Sequence, residues 1–297
     1  MRFTVAICTW NRARLLSTVL ERLTRVRYTR GAWEVLVVNN NSTDGTERVL
    51  DAFAERLPLR PAFEPRLGLS HARNTAVGHA RGDYVVWTDD DALVDANWLA
   101  AYDRAAARHP EAAIFGGPVR PHFEGTPPLW LSAAWEDVGA AFAARDLGSE
   151  PFEFGIGELP YGANFVIRTR EQKLFAYDPA LGRKGDGGAL GEETAVIRAI
   201  LEAGGTGWWV PDASVEHWIP KERQTIRYLR RYYALQGRTF HKWDGDGRRL
   251  FGGRPLWLWR SILRAELAYT LGRLSGDPSR WLKPLIQASL LRGATQR

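Results

Sequence analysis

Residues 85–95 read VVWTDDDALVD, so that Asp89, Asp90 and Asp91 follow an apolar run without interruption. Adjacent carboxylates repel one another, and a triplet at the end of a buried strand calls for a positive partner. In open α/β sheets ligands bind beyond the C-terminal ends of the strands. Hard divalent cations such as Mg2+ and Mn2+ are held by one or two carboxylates together with waters and ligand phosphates. The plainer alternative is an acidic turn in which Asp95 caps the next helix. Alone, the triplet does not decide between the two.

Further groups of the same kind lie elsewhere. VVNNNSTDGT (37–46) sets Asn39, Asn40 and Asn41 after an apolar run. Their amides can read a base edge or a ribose, and the same residue types also build turns. TWNR (9–12) sets Thr9, Asn11 and Arg12 after another such run. GLSHARNTA (68–76) puts Arg73 on a helix leading into the aspartate strand. A guanidinium there meets phosphates or the acids, although a lone arginine more often makes a surface ion pair. Glu192 and Glu193 open a helix after a glycine-rich segment (182–191), where the dipole favours carboxylates. His217, in SVEHWIP, can complete a metal shell or serve as an ordinary core histidine. Trp208 and Trp209 either stack on a sugar or pack in the core.

The elements that must position these residues follow from periodicity. FTVAIC, WEVLVVN and YVVWTD read as buried strands. Leu15, Leu16, Val19, Leu20 and Leu23 fall at helical spacing, NSTDGTERVLDAFAERL is a turn and a helix capped by Asp44 or Ser42, and GLSHARNTAVGHA and ANWLAAYDRAAARH are helices. This alternation predicts βαβ units and a parallel sheet covered on both faces. After Pro110 come a strand in AIFGGPV, an irregular stretch (121–160), a strand in YGANFVIRT, the helix GEETAVIRAILEAG and an extended TGWWVPDASVEHWIP. With the strands parallel, the polar groups fall along one rim.

Composition narrows the class. Between Lys221 and Arg297, 17 Lys/Arg face 5 Asp/Glu, a net of +12, which leaves −6 of the total +6 for residues 1–220. A basic tail faces something anionic or is simply a solvated surface. The single cysteine, Cys8, excludes an intrachain disulfide and a cysteine-based zinc cluster. No run of about 18 apolar residues is present, and the N-terminus shows no signal-peptide pattern, so a cytoplasmic protein is expected. The basic residues carry no recognised nucleic-acid motif, and no nucleic-acid partner is expected.

VAICTWNRARLL, EVLVVNNNSTDGT, GLSHARNTAVGHARGDYVVWTDDDALVDANWL, GANFVIRT and GEETAVIRAILEAGG, in this order, resemble family 2 glycosyltransferases. The resemblance implies a GT-A type αβα sandwich with a mostly parallel central sheet, here with a helical C-terminal extension. It divides the chain into a nucleotide-sugar-binding half (1–110), an acceptor-binding and catalytic-base half of the same domain (111–220) and a basic helical extension (221–297).

The implied reaction is metal-dependent, inverting transfer of a sugar from a nucleotide-diphosphate donor, UDP favoured, to a glycan or lipid-linked hydroxyl, in polysaccharide or glycolipid assembly. Thr9, Asn11 and Arg12 would border the nucleotide, Asn39 the base with Asn41 beside it, and Arg73 the nucleotide or its phosphates. Asp89 and Asp90 match the ribose side of the DxD motif, and Asp91 the Mn2+ or Mg2+ ligand, with Asp89 and His217 completing that shell. Glu193 matches the catalytic base, with Glu192 the other candidate. Asn164 would face the donor sugar or acceptor, and Arg223 the leaving diphosphate.

Two positions depart from the pattern: asparagine stands at 39 where many relatives have aspartate, and EE replaces ED. The tail, through Trp257, Trp259, Trp281, Arg260, Arg264 and Lys283, would lie on an anionic membrane face, peripheral on the inner side of the plasma membrane, or pack on the catalytic body. An inactive sugar-nucleotide-binding module and a nucleotidyltransferase are the rival readings. The latter usually carries a glycine-rich phosphate loop where TWNRAR stands. If repulsion within the triplet is relieved only by ligands, the aspartate segment orders when metal and donor bind.

Overall fold

FTVAICT forms β1 (Phe3–Thr9), and the leucine-spaced segment after it forms α1 (Ala13–Leu23). In chain order there follow β2 (Trp33–Asn39), α2 (Thr46–Phe53), β3 (Leu59–Phe63), α3 (Leu69–His79), β4 (Tyr84–Trp87), β5 (Ala92–Val94) and α4 (Trp98–Arg108). Then come β6 (Ile114–Gly116), β7 (Val119–Phe123), the short α5 (Leu129–Ala133) and α6 (Trp135–Val138), β8 (Phe165–Arg168) and α7 (Thr169–Gln172). A hairpin of β9 (Arg183–Lys184) and β10 (Gly187–Gly188) precedes α8 (Glu192–Glu202), β11 (Gly207–Trp209) and β12 (Val215–Ile219). The chain ends in α9 (Ile226–Phe240), α10 (Leu256–Arg273) and α11 (Pro278–Thr295). This computed structural model describes residues 1–184, 187–240, 250–251 and 254–295. Gly185 and Asp186 of the glycine-rich segment therefore lie outside the described residues.

The chain divides into two compact units, Met1–His122 with Ala143–Trp218, and Phe123–Phe142 with Ile219–Arg297. In the first, a seven-stranded sheet runs β3-β2-β1-β4-β8-β6-β11. Neighbours are parallel except at β8, which is antiparallel to both β4 and β6. One face of the sheet is covered by an apolar cluster containing Leu16, Leu20, Phe53, Leu99 and Tyr102, and the other by one containing Ala72, Ala76, Val196, Ile197 and Ile200. Burial on both faces is why β1, β2 and β4 read as unbroken apolar runs.

The register aligns the strand ends that matter. Thr9, the last residue of β1, pairs with Asn39, the last of β2. Trp87, the last of β4, pairs with Ala6, which leaves Asp89 and Asp90 level with the end of β1. A separate three-stranded sheet, β5-β12-β7, brings His217 opposite Ala92, next to the triplet.

The second unit is helical. Leu131, Val138, Phe142, Leu229, Tyr233, Trp281 and Leu285 form its core. α9 and α11 approach so closely that a Cβ on Gly237 would meet Leu290 O at 2.0 Å, and one on Gly293 would meet Ala234 O at 1.9 Å. Trp281 is fully buried here and packs against Trp130 and Tyr269, so of the two readings open for it the outward-facing one does not hold.

Candidate active site

The triplet is held from three directions. Arg12 Nη1 donates to Asp90 Oδ1 at 2.7 Å and to Asp91 Oδ2 at 2.8 Å. Thr9 Oγ1 donates to the other oxygen of Asp90 at 2.7 Å. His217 Nε2 stands 3.3 Å from Asp91 Oδ1, and the backbone carbonyl of Asp91 accepts from Trp218 N. Burial pushes the Asp90 carboxyl up to about 6, against the opposing pull of Arg12. Burial also works against the Arg12 charge, but Asp91 and Asp90 outweigh it and hold the guanidinium firmly protonated.

This arrangement corrects several expectations. The repulsion within the triplet is met by Arg12, a partner within the chain rather than a ligand. Thr9 is buried and its hydroxyl is committed to Asp90, so it positions an acid rather than bordering a nucleotide. Asp90 is likewise buried with both oxygens engaged. Of the three acids only Asp89 is open, with 36 % of its side chain exposed.

The asparagines divide in the same way. Asn11, at φ +52°, accepts at Oδ1 from Thr43 N, while its own N–H donates to Ser42 Oγ. It thereby ties the β1–α1 turn to the β2–α2 turn. Asp44 strengthens that tie, accepting from Ala13 N at the start of α1 and from Thr46 N at the start of α2. Asn39 accepts from Ser42 N at Oδ1, which leaves its amide N–H groups to offer. Asn41, at φ +60°, is exposed beside the loop and donates weakly to Pro65 O at 3.4 Å. Asn40 holds the loop 64–68 against β2 by donating to Glu64 O and Arg66 O and accepting from Gly68 N.

Asn164 does not line the rim. Its Oδ1 accepts from Trp98 Nε1 and Tyr102 Oη at 2.9 and 2.7 Å, and its Nδ2 donates to Pro118 O and Ala213 O at 2.9 and 2.7 Å. The residue is fully buried and its hydrogen-bonding capacity is filled, which corrects its expected role as a donor or acceptor contact. Asp95 accepts from Asn97 N, an Asx turn ahead of α4 rather than a cap on the helical N–H groups. Trp209 is a core residue, and Trp208 stacks on His109 with ring centres 3.5 Å apart. Arg223 belongs to the second unit.

Arg73 links the triplet to the acid pair. Its Nη2 lies 3.9 Å from Asp89 Oδ1 and 3.8 Å from Glu192 Oε1. The guanidinium is buried among Trp87, Phe165 and Tyr177, 5.2–5.4 Å from each ring centre, and its Nη1 has no hydrogen-bond partner among the described residues. Such cation–π contacts favour a charge that water no longer reaches. Glu192 is buried beside it, and burial together with neighbouring Glu193 pushes its carboxyl up to about 8. Glu193 is only half-buried and approaches Gly162, where a Cβ would meet Glu193 Oε1 at 3.2 Å and Arg73 Nη2 at 3.1 Å.

Among the described residues no three His, Cys, Asp or Glu side chains form an all-protein cation cage. Mg2+-like ions do not require one where ligand phosphates complete the shell. Adjacent ligands of an octahedral ion at about 2.1 Å are roughly 3 Å apart, and the 3.3 Å between Asp91 Oδ1 and His217 Nε2 suits that spacing. One carboxylate and one imidazole at this spacing fit a divalent ion whose remaining positions ligand phosphates and water complete.

A sheet in this order, with acids beyond the fourth strand and an acid pair opening a later helix, is the GT-A arrangement of glycosyltransferases. The chain belongs to glycosyltransferase family 2: the family described as Glycosyl transferase family 2 matches residues 4–158, just over half of the chain. Two relatives are the succinoglycan biosynthesis protein ExoM of Rhizobium meliloti, 25 % identical over 79 % of this chain and 72 % of that one, and the glucosyl-dolichyl phosphate glucuronosyltransferase of Haloferax volcanii, 25 % identical over 84 % and 77 %.

Among solved structures, a mannosyltransferase from Pyrobaculum calidifontis in complex with GDP-Man and Mn2+ has a TM-score of 0.64 at 22 % identity, over 99 % of this chain and 86 % of the other. TarS 1–349 of S. aureus in complex with UDP has a TM-score of 0.57 at 16 % identity, over 92 % and 71 %. At these identities the two structures establish the fold.

Proposed function

We propose that this glycosyltransferase catalyses cation-dependent, inverting transfer from a nucleotide-diphosphate sugar to a hydroxyl of a glycan or lipid-linked acceptor, in polysaccharide or glycolipid assembly. The observation that carries the reading is Arg73, placed between Asp89 and Glu192, because it sets a donor-side acid and the neighbour of the candidate base around one cation. Inversion requires a base on the face opposite the leaving diphosphate, to take the acceptor proton. Pairs of acids whose environments differ divide such roles between them. Glu192 is buried with its carboxyl raised, whereas Glu193 is half-buried and the more accessible to an acceptor, so we assign the base to Glu193.

Asp91 and His217 would hold Mn2+ or Mg2+, with Asp89 beside them. When bound, such an ion stabilises the negative charge that develops on the leaving diphosphate. The Asn39 amide donors suit the carbonyl of a base, and we favour uracil. The acceptor class follows the relatives, one a succinoglycan biosynthesis protein and one a glucosyl-dolichyl phosphate glucuronosyltransferase.

Thermal-shift measurements with UDP, GDP, dTDP and CDP and their sugars, each with and without Mn2+, test the donor. UDP should stabilise most, and only with metal. No stabilisation by any of them in the presence of metal would sink the donor site. Asp91→Ala should remove the metal-dependent part, and Glu193→Gln should keep donor affinity while turnover disappears.

A further inference from the structure

Helix α10 is apolar on two sides. Its inner side carries Leu258, Ile262 and Ala265, which are buried within the second unit. Its outer side carries Leu256, Leu263, Leu267 and Leu271, continued by Leu274 just past the helix end. The steps of seven, four, four and three residues place these leucines on one line along the helix. All remain exposed, Leu263 at 70 % and Leu274 at 82 %. Trp257 and Trp259 are exposed at the start of the same helix. A helix apolar on both sides ordinarily has cover on both, and exposed leucines aligned in this way mark an interaction surface.

Charge identifies the partner. Arg260 falls within the leucine line and Arg264 beside it, both exposed. The only acid of α10, Glu266, is engaged by Arg230 at 2.7 and 2.9 Å and by Arg292 at 2.8 Å. The outer side thus presents leucine, tryptophan and arginine without a carboxylate, within a segment of net charge +12 from Lys221 onward. A second copy of the chain, apposed about a twofold axis, would set this arginine-bearing strip against itself. An anionic lipid surface complements it. No helix among the described residues is long and apolar enough to cross a membrane.

We infer that α10 docks along the surface of an anionic bilayer. The leucine line enters the acyl boundary, Trp257 and Trp259 lie at headgroup level, and Arg260 and Arg264 reach the lipid phosphates. The inference goes beyond the transfer reaction and does not depend on it.

The test is co-sedimentation of the full chain with vesicles of phosphatidylcholine alone and of phosphatidylcholine mixed with phosphatidylglycerol. The chain should pellet with the mixed vesicles, remain in solution with the neutral ones, and be released by salt. An arginine near an anionic surface contributes about fivefold to binding, so Arg260→Gln with Arg264→Gln should weaken it roughly 30-fold. Leu263→Ser with Leu267→Ser should weaken it about tenfold or more, and the melting temperature should hold because both side chains are exposed. Failure to pellet with mixed vesicles overturns the inference, as does binding that the leucine substitutions leave unchanged. A stable dimer in light scattering that those substitutions break would also overturn it, assigning the strip to a second copy.

Discussion

Arg12 Nη1 stands 2.8 Å from Asp91 Oδ2, on the carboxylate proposed to hold the cation. A permanent side-chain cation therefore already sits on this acid and stabilises the triplet whatever ion is present. Removing it leaves Asp90 and Asp91 buried without their arginine, with Thr9 and His217 still beside them. Breaking a buried pair costs about 3–5 kcal/mol, and about a third of the Arg12 side chain is exposed, so Arg12→Gln should cost about 2 kcal/mol. Mn2+ alone should then raise the melting temperature of the variant more than that of the wild type. Equal shifts would show that Arg12 and a metal ion do not act on the same charge.

Gly162 tests the placement of the base. A methyl group there presses on Arg73 Nη2 and Glu193 Oε1 together. Arg73 is caged by three aromatic rings, so Glu193 is the group that yields. Misplacing a reacting group by a fraction of an ångström costs about tenfold or more in rate. Gly162→Ala should therefore lower kcat about tenfold while KM for the donor stays within a factor of about two. Unchanged turnover would mean that the space beside Gly162 does not set the base.

What could be read from the sequence followed the buried runs. β1, β2, β4 and their helices were legible because burial on both sheet faces leaves unbroken apolar stretches. β3 was not, because Pro61 interrupts LRPAF; proline is tolerated there since β3 is the edge strand of the sheet. The reversed direction of β8 was also invisible, as a strand buried on both faces reads alike in either sense. AIFGGPV proved to hold β6 and only the first residue of β7. A Cβ on Gly117 would meet Ala213 O at 2.1 Å, and this close approach gives the sequence no period to show. The acids and arginines of the rim could be named from their types. Their partnerships could not, since Arg12 and Asp90 meet across 78 residues.

Asn164 illustrates that limit and yields a prediction. Its replacement by alanine removes four hydrogen bonds and leaves Trp98 Nε1, Tyr102 Oη and Ala213 O without their partner, while Pro118 O keeps its bond from Val215 N. Buried polar groups left unpaired cost about 1–3 kcal/mol each, with partial relief from relaxation. Urea unfolding should show a loss of about 3–4 kcal/mol. Donor affinity, measured where the variant is still folded, should be unchanged. Weakened donor binding at full stability would instead return Asn164 to the pocket wall.

Glu192 predicts the pH dependence of stability. Its carboxyl is raised from the ordinary 4.5 to about 8, by burial first and by Glu193 second, so the folded chain holds this proton more tightly than the unfolded chain does. Between those two values the folded state binds more protons, and the contribution of Glu192 to stability falls as pH rises through the window. Asp90, raised from 3.8 to about 6 by burial, adds a decline of the same sign at lower pH. Glu192→Gln keeps the shape of the protonated acid and cannot ionise. It should match the wild type near pH 4.5 and gain on it up to about pH 8, where the gap should reach on the order of 4–5 kcal/mol in urea unfolding and then level off. Turnover should fall less than in Glu193→Gln, since Glu192 stands beside the base. A stability gap that does not change across the window would show that Glu192 is ionised throughout it, and the division of roles between the two acids would have to be reversed.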